Sequence, residues 1–144
     1  PLPNIKKMNR LFQHYEGEIK EIEGLTLKAL NSLIDDDSEK ENLILLWIET
    51  ESNWLRIFID GSYCGIDEYE TNESENDLDD DVSFINQDNL IKGLIIKKAK
   101  VESGNLPLIT LTIDFINGTQ LILKCDENED CSLTKTLGNN VYKK

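Results

Sequence analysis

Two long apolar runs, each interrupted once by a short polar turn, restrict this chain more than any other feature. Residues 43–60 read LILLWIE, then the polar break Thr50-Glu51-Ser52-Asn53, then WLRIFID. Residues 108–126 read LITLTIDF and INGTQLILKCD, turning at Asn117-Gly118. Runs rich in Ile, Leu, Val, Thr and aromatic residues favour a pleated, half-buried backbone, and a polar break between two of them marks an antiparallel hairpin. Asn-Gly is the strongest short hairpin signal. In the first hairpin, Leu55, Ile57 and Ile59 face one way and Trp54, Arg56, Phe58 and Asp60 the other. The strand before it is apolar on both faces, so it is expected to be covered on both sides, with Trp47 in the core. Asp60-Gly61 signals a further turn into a third strand, Tyr63–Tyr69.

Elsewhere the pattern is less regular. Ile5, Met8, Leu11, Phe12 and Tyr15 fall at three-and-four spacing, which predicts a short helix ended by Gly17. Ile19 and Ile22 lie among alternating charges and favour a half-buried strand. Residues 25–34 fit either a helix face or a strand, and Asp35-Asp36-Asp37 opens a loop. Residues 91–101 fit either state, and a faint internal repeat tips them towards strand. Gly17-Glu-Ile-Lys-Glu-Ile resembles Gly93-Leu-Ile-Ile-Lys-Lys, and Leu46, Ile48 and Thr50 correspond to Leu111, Ile113 and Phe115, with a one-residue difference at the turn. The expected fold is α+β or mainly β: one antiparallel sheet of about six strands built from the two long hairpins, with one or two short helices. A single domain spans 1–144, with a flexible acidic loop at about 70–82 and a short final strand or loosely held tail at the C-terminal end.

Charge narrows the functions. The chain has 28 Asp+Glu against 15 Lys+Arg, a net charge of -13. That field repels nucleic-acid backbones and anionic membranes and attracts basic proteins. No stretch is long and apolar enough to span a bilayer as a helix. Motifs for dinucleotide binding, phosphate loops, nucleophile elbows and zinc proteases are absent, and the single histidine, His14, reads as a capping or packing residue. Asp77-Leu-Asp-Asp-Asp resembles the opening of a calcium loop but lacks its glycine and its closing glutamate. No catalytic group, cofactor or dedicated metal site is expected. Cys64, Cys125 and Cys131 read as structural or incidental, and an odd count points to a reducing, cytoplasmic setting.

The remaining candidates are binding residues. Asp67, Glu68 and Glu70 begin a run without Lys or Arg that continues through Asp77, Asp79, Asp80 and Asp81. Trp54 lies near a hairpin tip and Tyr69 at the opening of the run, and large aromatic groups with a polar edge anchor protein interfaces. Trp54-Leu-Arg-Ile-Phe-Ile-Asp-Gly, a short strand, a long acidic loop and a second hairpin with Phe115-Ile-Asn-Gly together resemble the small acidic immunity proteins of bacterial polymorphic and contact-dependent toxin systems. The resemblance implies a cytoplasmic, non-enzymatic inhibitor that binds one cognate toxin, often a nuclease with a basic cleft. An acidic nucleic-acid mimic acting on a DNA-binding protein, a metal-dependent enzyme of unfamiliar type and a structural domain remain as alternatives, and both monomer and homodimer stay open.

Overall fold

Strand propensity prevails through nearly the whole chain. The computed structural model describes residues 7–35, 42–60, 63–70, 82–86, 92–104, 109–126 and 131–138. Within them lie eleven strands: β1 (Lys7–His14), β2 (Gly17–Glu18), β3 (Leu27–Asp35), β4 (Asn42–Thr50), β5 (Trp54–Asp60), β6 (Tyr63–Tyr69), β7 (Val82–Asn86), β8 (Ile96–Ser103), β9 (Ile109–Phe115), β10 (Gln120–Cys125) and β11 (Cys131–Thr136). The only helical turn among the described residues is a 3₁₀ turn at Lys20–Ile22. Both expected hairpins are present, as β4–β5 and β9–β10.

These hairpins do not share a sheet. The strands form two antiparallel sheets: sheet A in the order β1-β6-β5-β4-β3-β7, and sheet B in the order β11-β10-β9-β8-β2. One apolar core joins them, with Leu30, Leu46, Ile48, Leu55, Ile57 and Ile66 from sheet A meeting Ala99, Val101, Leu111, Ile113, Leu121 and Leu123 from sheet B. Each of these Leu, Ile and Val side chains contributes roughly 1.5–3 kcal/mol when fully buried. The antiparallel, strand-rich class therefore holds, while the single six-stranded sheet gives way to a two-layer packing.

The expected N-terminal helix is β1 instead. Its ladder to β6 slips between Arg10 and Phe12, and Leu11 and Phe12 both pack against the core. An extra residue inserted in a strand puts neighbours on one side, and that break in alternation imitates helical spacing. The same cause made residues 25–34 ambiguous: β3 slips between Leu27 and Ala29 and again between Leu33 and Ile34. Residues 96–101 of the second ambiguous stretch are β8, also slipped, between Ile96 and Lys98. Most of the acidic loop and the last residues of the tail lie outside the described residues, although β11 supplies the expected final strand.

The repeat is real in the ladders, and its starting point moves. Leu27↔Thr50 in the β3–β4 ladder matches Ile96↔Phe115 in β8–β9, with a slip following each. Leu30↔Ile48 matches Ala99↔Ile113, and Ser32↔Leu46 matches Val101↔Leu111. Leu46, Ile48 and Thr50 thus correspond to Leu111, Ile113 and Phe115 as expected, but Gly24, not Gly17, is the counterpart of Gly93. Both have φ +86, a left-handed conformation that favours glycine. They meet across an approximate two-fold axis. Gly24 N–H donates to the Ile96 carbonyl and Gly93 N–H to the Leu27 carbonyl, each at 2.8 Å; Leu27 N–H donates to Leu94 and Ile96 N–H to Leu25, each at 2.9 Å. The Thr26↔Ile95 bridge lies between these bonds. Each half contributes a four-stranded meander, β3–β6 or β8–β11, and a short strand that crosses to the other half's sheet: β2 joins β8, and β7 joins β3.

Candidate functional site

Because the two meanders share a register, one outer face can be read against the other. Across sheet B, Lys100, Thr112, Ile122 and Thr134 form a transverse row, flanked by Lys98, Asp114, Gln120 and Thr136 and by Lys124 opposite Ser132. Gln120 Nε2 donates to Asp114 Oδ1 at 2.6 Å. Lys98 pairs with Glu18 at 3.2 Å. Together with Lys20 this holds the Glu18 carboxyl below its ordinary range, the Lys98 hydrogen bond contributing most. This is an ordinary solvated face.

The equivalent row on sheet A runs Arg10, Asp67, Arg56, Trp47 and Asn31, one residue from each of β1, β6, β5, β4 and β3. Trp47 is 0 % exposed and, with Leu33, Leu45 and Tyr69, forms a second apolar cluster against which Trp54 and Phe58 pack. Strand β4 is covered on both faces, as its sequence predicted. Trp47 meets Tyr69 edge-on at 5.2 Å and Trp54 at 6.3 Å. Phe58 lies directly over Gly65, where an added Cβ would fall 2.3 Å from the ring. Arg56 sits near the faces of Phe58 and Tyr69, 5.4 and 5.7 Å from their centroids, and donates to the Tyr69 hydroxyl at 3.2 Å. Two donors of this face, Trp47 Nε1 and Arg56 Nε, are buried without an acceptor among the described residues.

Asp67 occupies a different position from the one its sequence context suggested. It is 1 % exposed and accepts a forked hydrogen bond from Arg10, through Nε and, at 3.3 Å, through Nη2. That bond raises the Arg10 pKa further above its ordinary value. Tyr69 is also buried, at 7 %. The carboxylate and the ring therefore build the face rather than project from it.

Trp54, Glu68 and Glu70 are placed at one end of sheet A. Trp54 is half-buried and stands beside Glu49 on β4 and Tyr69 on β6. Glu51 and Glu70 are exposed. Glu68 accepts from Asn53 Nδ2 at 2.9 Å and from Asn9 Nδ2 at 3.4 Å. Asp77, Asp79, Asp80 and Asp81 lie outside the described residues. Glu49, which the sequence reading did not single out, joins the group because the ladder sets it opposite Trp54, and Glu51 is exposed in the Thr50–Asn53 turn itself. Their signal was their position at and within that turn.

Of the two roles open to the cysteines, structural and incidental, Cys125 and Cys131 take the structural one: they are opposite each other on β10 and β11 and form a disulfide. Cys64 is free and buried, and burial pushes its thiol up to about 12. One bonded pair and one buried thiol account for the odd count, which removes its value as a sign of compartment. Among the described residues no cluster of carboxylate, histidine and cysteine ligands suited to a metal is brought together, and no helix is long and apolar enough to cross a membrane. Comparison of the chain with protein families, with curated proteins and with solved structures finds no match, so any functional reading rests on this geometry and on charge.

Proposed function

We propose that this chain is a non-enzymatic binding protein that engages a cationic protein at the Trp54 end of sheet A, and that it acts as a cytoplasmic immunity protein neutralising a basic toxin. The observation that carries the reading is a half-buried tryptophan directly opposite Glu49 at the end of sheet A where Glu51 and Glu70 are exposed, with Glu68 at the same end on the sheet's other face. None of these four carboxylates takes part in an ion pair among the described residues. Carboxylates without a cationic partner among the described residues suit a partner's lysines and arginines. A net charge of -13 steers such a partner in at rates well above those of neutral association. Trp54, supported from below by Trp47, supplies the rigid apolar contact that concentrates binding energy.

The test is association with the toxin encoded beside this gene, at low and high salt, before and after replacing Glu49, Glu51, Glu68 and Glu70 by glutamine. The expected result is a slower on-rate, a shallower salt dependence and, with Trp54→Ala in addition, faster dissociation. Unchanged rates and affinity would remove the proposal. Thiol trapping in freshly lysed cells tests the compartment: reduced Cys125 and Cys131 fit the cytoplasm, whereas a trapped disulfide places the protein in oxidising surroundings.

A further inference from the structure

Of the 15 basic residues in the chain only Arg10 and Arg56 are arginines, and both lie on the outer face of sheet A against aromatic rings. Arg10 stands 5.3 Å from the centroid of Phe58, and Arg56 sits between Phe58 and Tyr69, at 5.4 and 5.7 Å. Guanidinium and ring thus alternate across the face. The rings continue through Trp47, 5.2 Å from Tyr69, and end at Trp54, 6.3 Å from Trp47. Trp54 is half-buried, and among the described residues no cation stands over it.

Arg10 shows what holds a guanidinium on this face. It lies over Phe58 while its Nε and Nη2 donate a forked hydrogen bond to Asp67. One ring and one carboxylate suit a planar ion that stacks by its face and donates from its edge. Trp54 and Glu49 repeat that set. Thr50 N–H donates to the Asn53 carbonyl at 2.9 Å, so the next pair, Glu49↔Trp54, is of the non-hydrogen-bonded kind, in which side chains approach most closely.

The basic residues nearest this pair do not occupy it. Lys28, exposed at the slip in β3 opposite Glu49, forms no ion pair with it among the described residues. The register sets Lys7 opposite Tyr69, two strands away from Trp54. The pair is also held in place. Trp47 meets Trp54 edge-on, and the turn between Glu49 and Trp54 is braced: Thr50 Oγ1 donates to the Asn53 carbonyl at 3.0 Å, and Asn53 Nδ2 donates to Glu68 at 2.9 Å. A ring and a carboxylate fixed before binding lose little freedom when a ligand arrives.

We propose that Trp54 and Glu49 form a receptor for a single arginine side chain of the partner protein, the guanidinium stacking on the indole and forking onto the carboxylate as Arg10 does with Phe58 and Asp67. Lysine is the poorer ligand, because an ammonium is a compact, strongly hydrated ion without a plane to stack. The paired lysines of sheet B follow that rule, Lys98 and Lys100 meeting the carboxylates of Glu18 and Glu102. The inference rests on the binding reading above and narrows it, from a cationic partner to one that presents an arginine.

The probes are N-acetyl-arginine amide and N-acetyl-lysine amide, titrated at millimolar concentration into the full chain while the Trp54 indole N–H is followed by NMR. A saturable shift is expected, with arginine bound about threefold or more tighter than lysine. Glu49→Gln should weaken arginine binding by about threefold or more, whereas Glu102→Gln, which removes the same charge from sheet B, should leave it unchanged. The arginine and lysine comparison on the unaltered protein keeps the test valid if the Glu49 variant does not fold. An equal response to both probes, a shift that never saturates, or binding untouched by Glu49→Gln overturns the inference; the broader reading then still stands if the four glutamine replacements slow association with the toxin. Selective arginine binding together with an unaltered toxin response keeps the receptor and rejects the toxin as its partner.

Discussion

Trp47 and Thr112 occupy the same place in two copies of one ladder, opposite Asn31 in sheet A and Lys100 in sheet B. Around Thr112 the outer face is lysine, threonine, aspartate and glutamine, with Ile122 the one apolar neighbour in its row. Around Trp47 it is arginine, tryptophan, phenylalanine and tyrosine, enough to bury a tryptophan completely on the side of the sheet away from the main core. The inner faces do the same job in both halves, since each contributes Leu and Ile to the shared core. Sheet B shows what this scaffold looks like when its outer face needs only to be wet. The aromatic and guanidinium groups of sheet A give its outer face a second apolar cluster, and none is built on sheet B among the described residues.

The largest effect that would break this contrast is at Trp47. Trp47→Ala removes a fully buried indole and leaves a cavity, and is expected to destabilise the protein by about 3–5 kcal/mol in urea unfolding. Thr112→Ala, at the matching position, should cost about 1 kcal/mol, because Thr112, although also buried, is a much smaller side chain and its loss leaves far less space. Similar losses at the two sites would mean that the outer faces are not differently organised. Trp47→Phe sharpens the comparison: it keeps most of the apolar contact and deletes the buried Nε1 donor that lacks an acceptor, so it should lose far less than the alanine variant.

The sequence made part of this legible. Where alternation is unbroken, as in Trp54 to Asp60 and Ile109 to Phe115, strand, turn and face are all readable, and the doubled apolar pattern of Leu45 to Ile48 correctly predicted cover on both sides. Where a ladder slips, the side-chain period changes locally. Leu11 with Phe12, and Leu33 with Ile34, then resemble a helical stripe. The strand equivalence of Leu46, Ile48 and Thr50 with Leu111, Ile113 and Phe115 could be read from pattern alone, whereas the crossing of β2 and β7 between halves could not, because pairing partners distant in sequence leave no periodic trace. Asp67 illustrates the same difficulty for the site. In sequence it belongs with Glu68 and Glu70 as an exposed acid, and only its placement opposite Arg10 takes it into the sheet face.

That ion pair gives the intermediate effect. Arg10→Leu leaves the Asp67 carboxylate buried without its forked partner, and a loss of about 2–3 kcal/mol is expected; the Arg10 side chain is 30 % exposed, so the low end of the range for broken buried pairs applies. In Arg10→Leu/Asp67→Asn the uncompensated charge is gone, and much of the loss should return. Thr134→Val, at the sheet B position corresponding to Asp67, should change stability by under about 0.5 kcal/mol. If the double variant is no more stable than Arg10→Leu, the pair is not what holds β1 to this face.

The smallest effect concerns Cys64, whose ladder position corresponds to Cys131, with Ile59 standing where the second half has Cys125. Burial raises the Cys64 thiol from 9.0 to about 12. Between those values the unfolded chain loses this proton and the folded chain keeps it, so the folded state binds more protons and stability falls as pH rises. The slope from this one group approaches about 1.4 kcal/mol per pH unit above pH 9, and the contribution is absent below it. Ile59→Cys should form a disulfide with Cys64 on oxidation, because the two positions face each other as Cys125 and Cys131 do. The bonded variant has no thiol left to titrate. Urea unfolding at pH 8 and pH 10 should therefore show a larger drop for the natural sequence than for oxidised Ile59→Cys, with the other titrating groups common to both. Equal drops would show that Cys64 is not held in a dry site, and failure of the new bond to form would show that the two halves do not share the register on which the comparison of their faces depends.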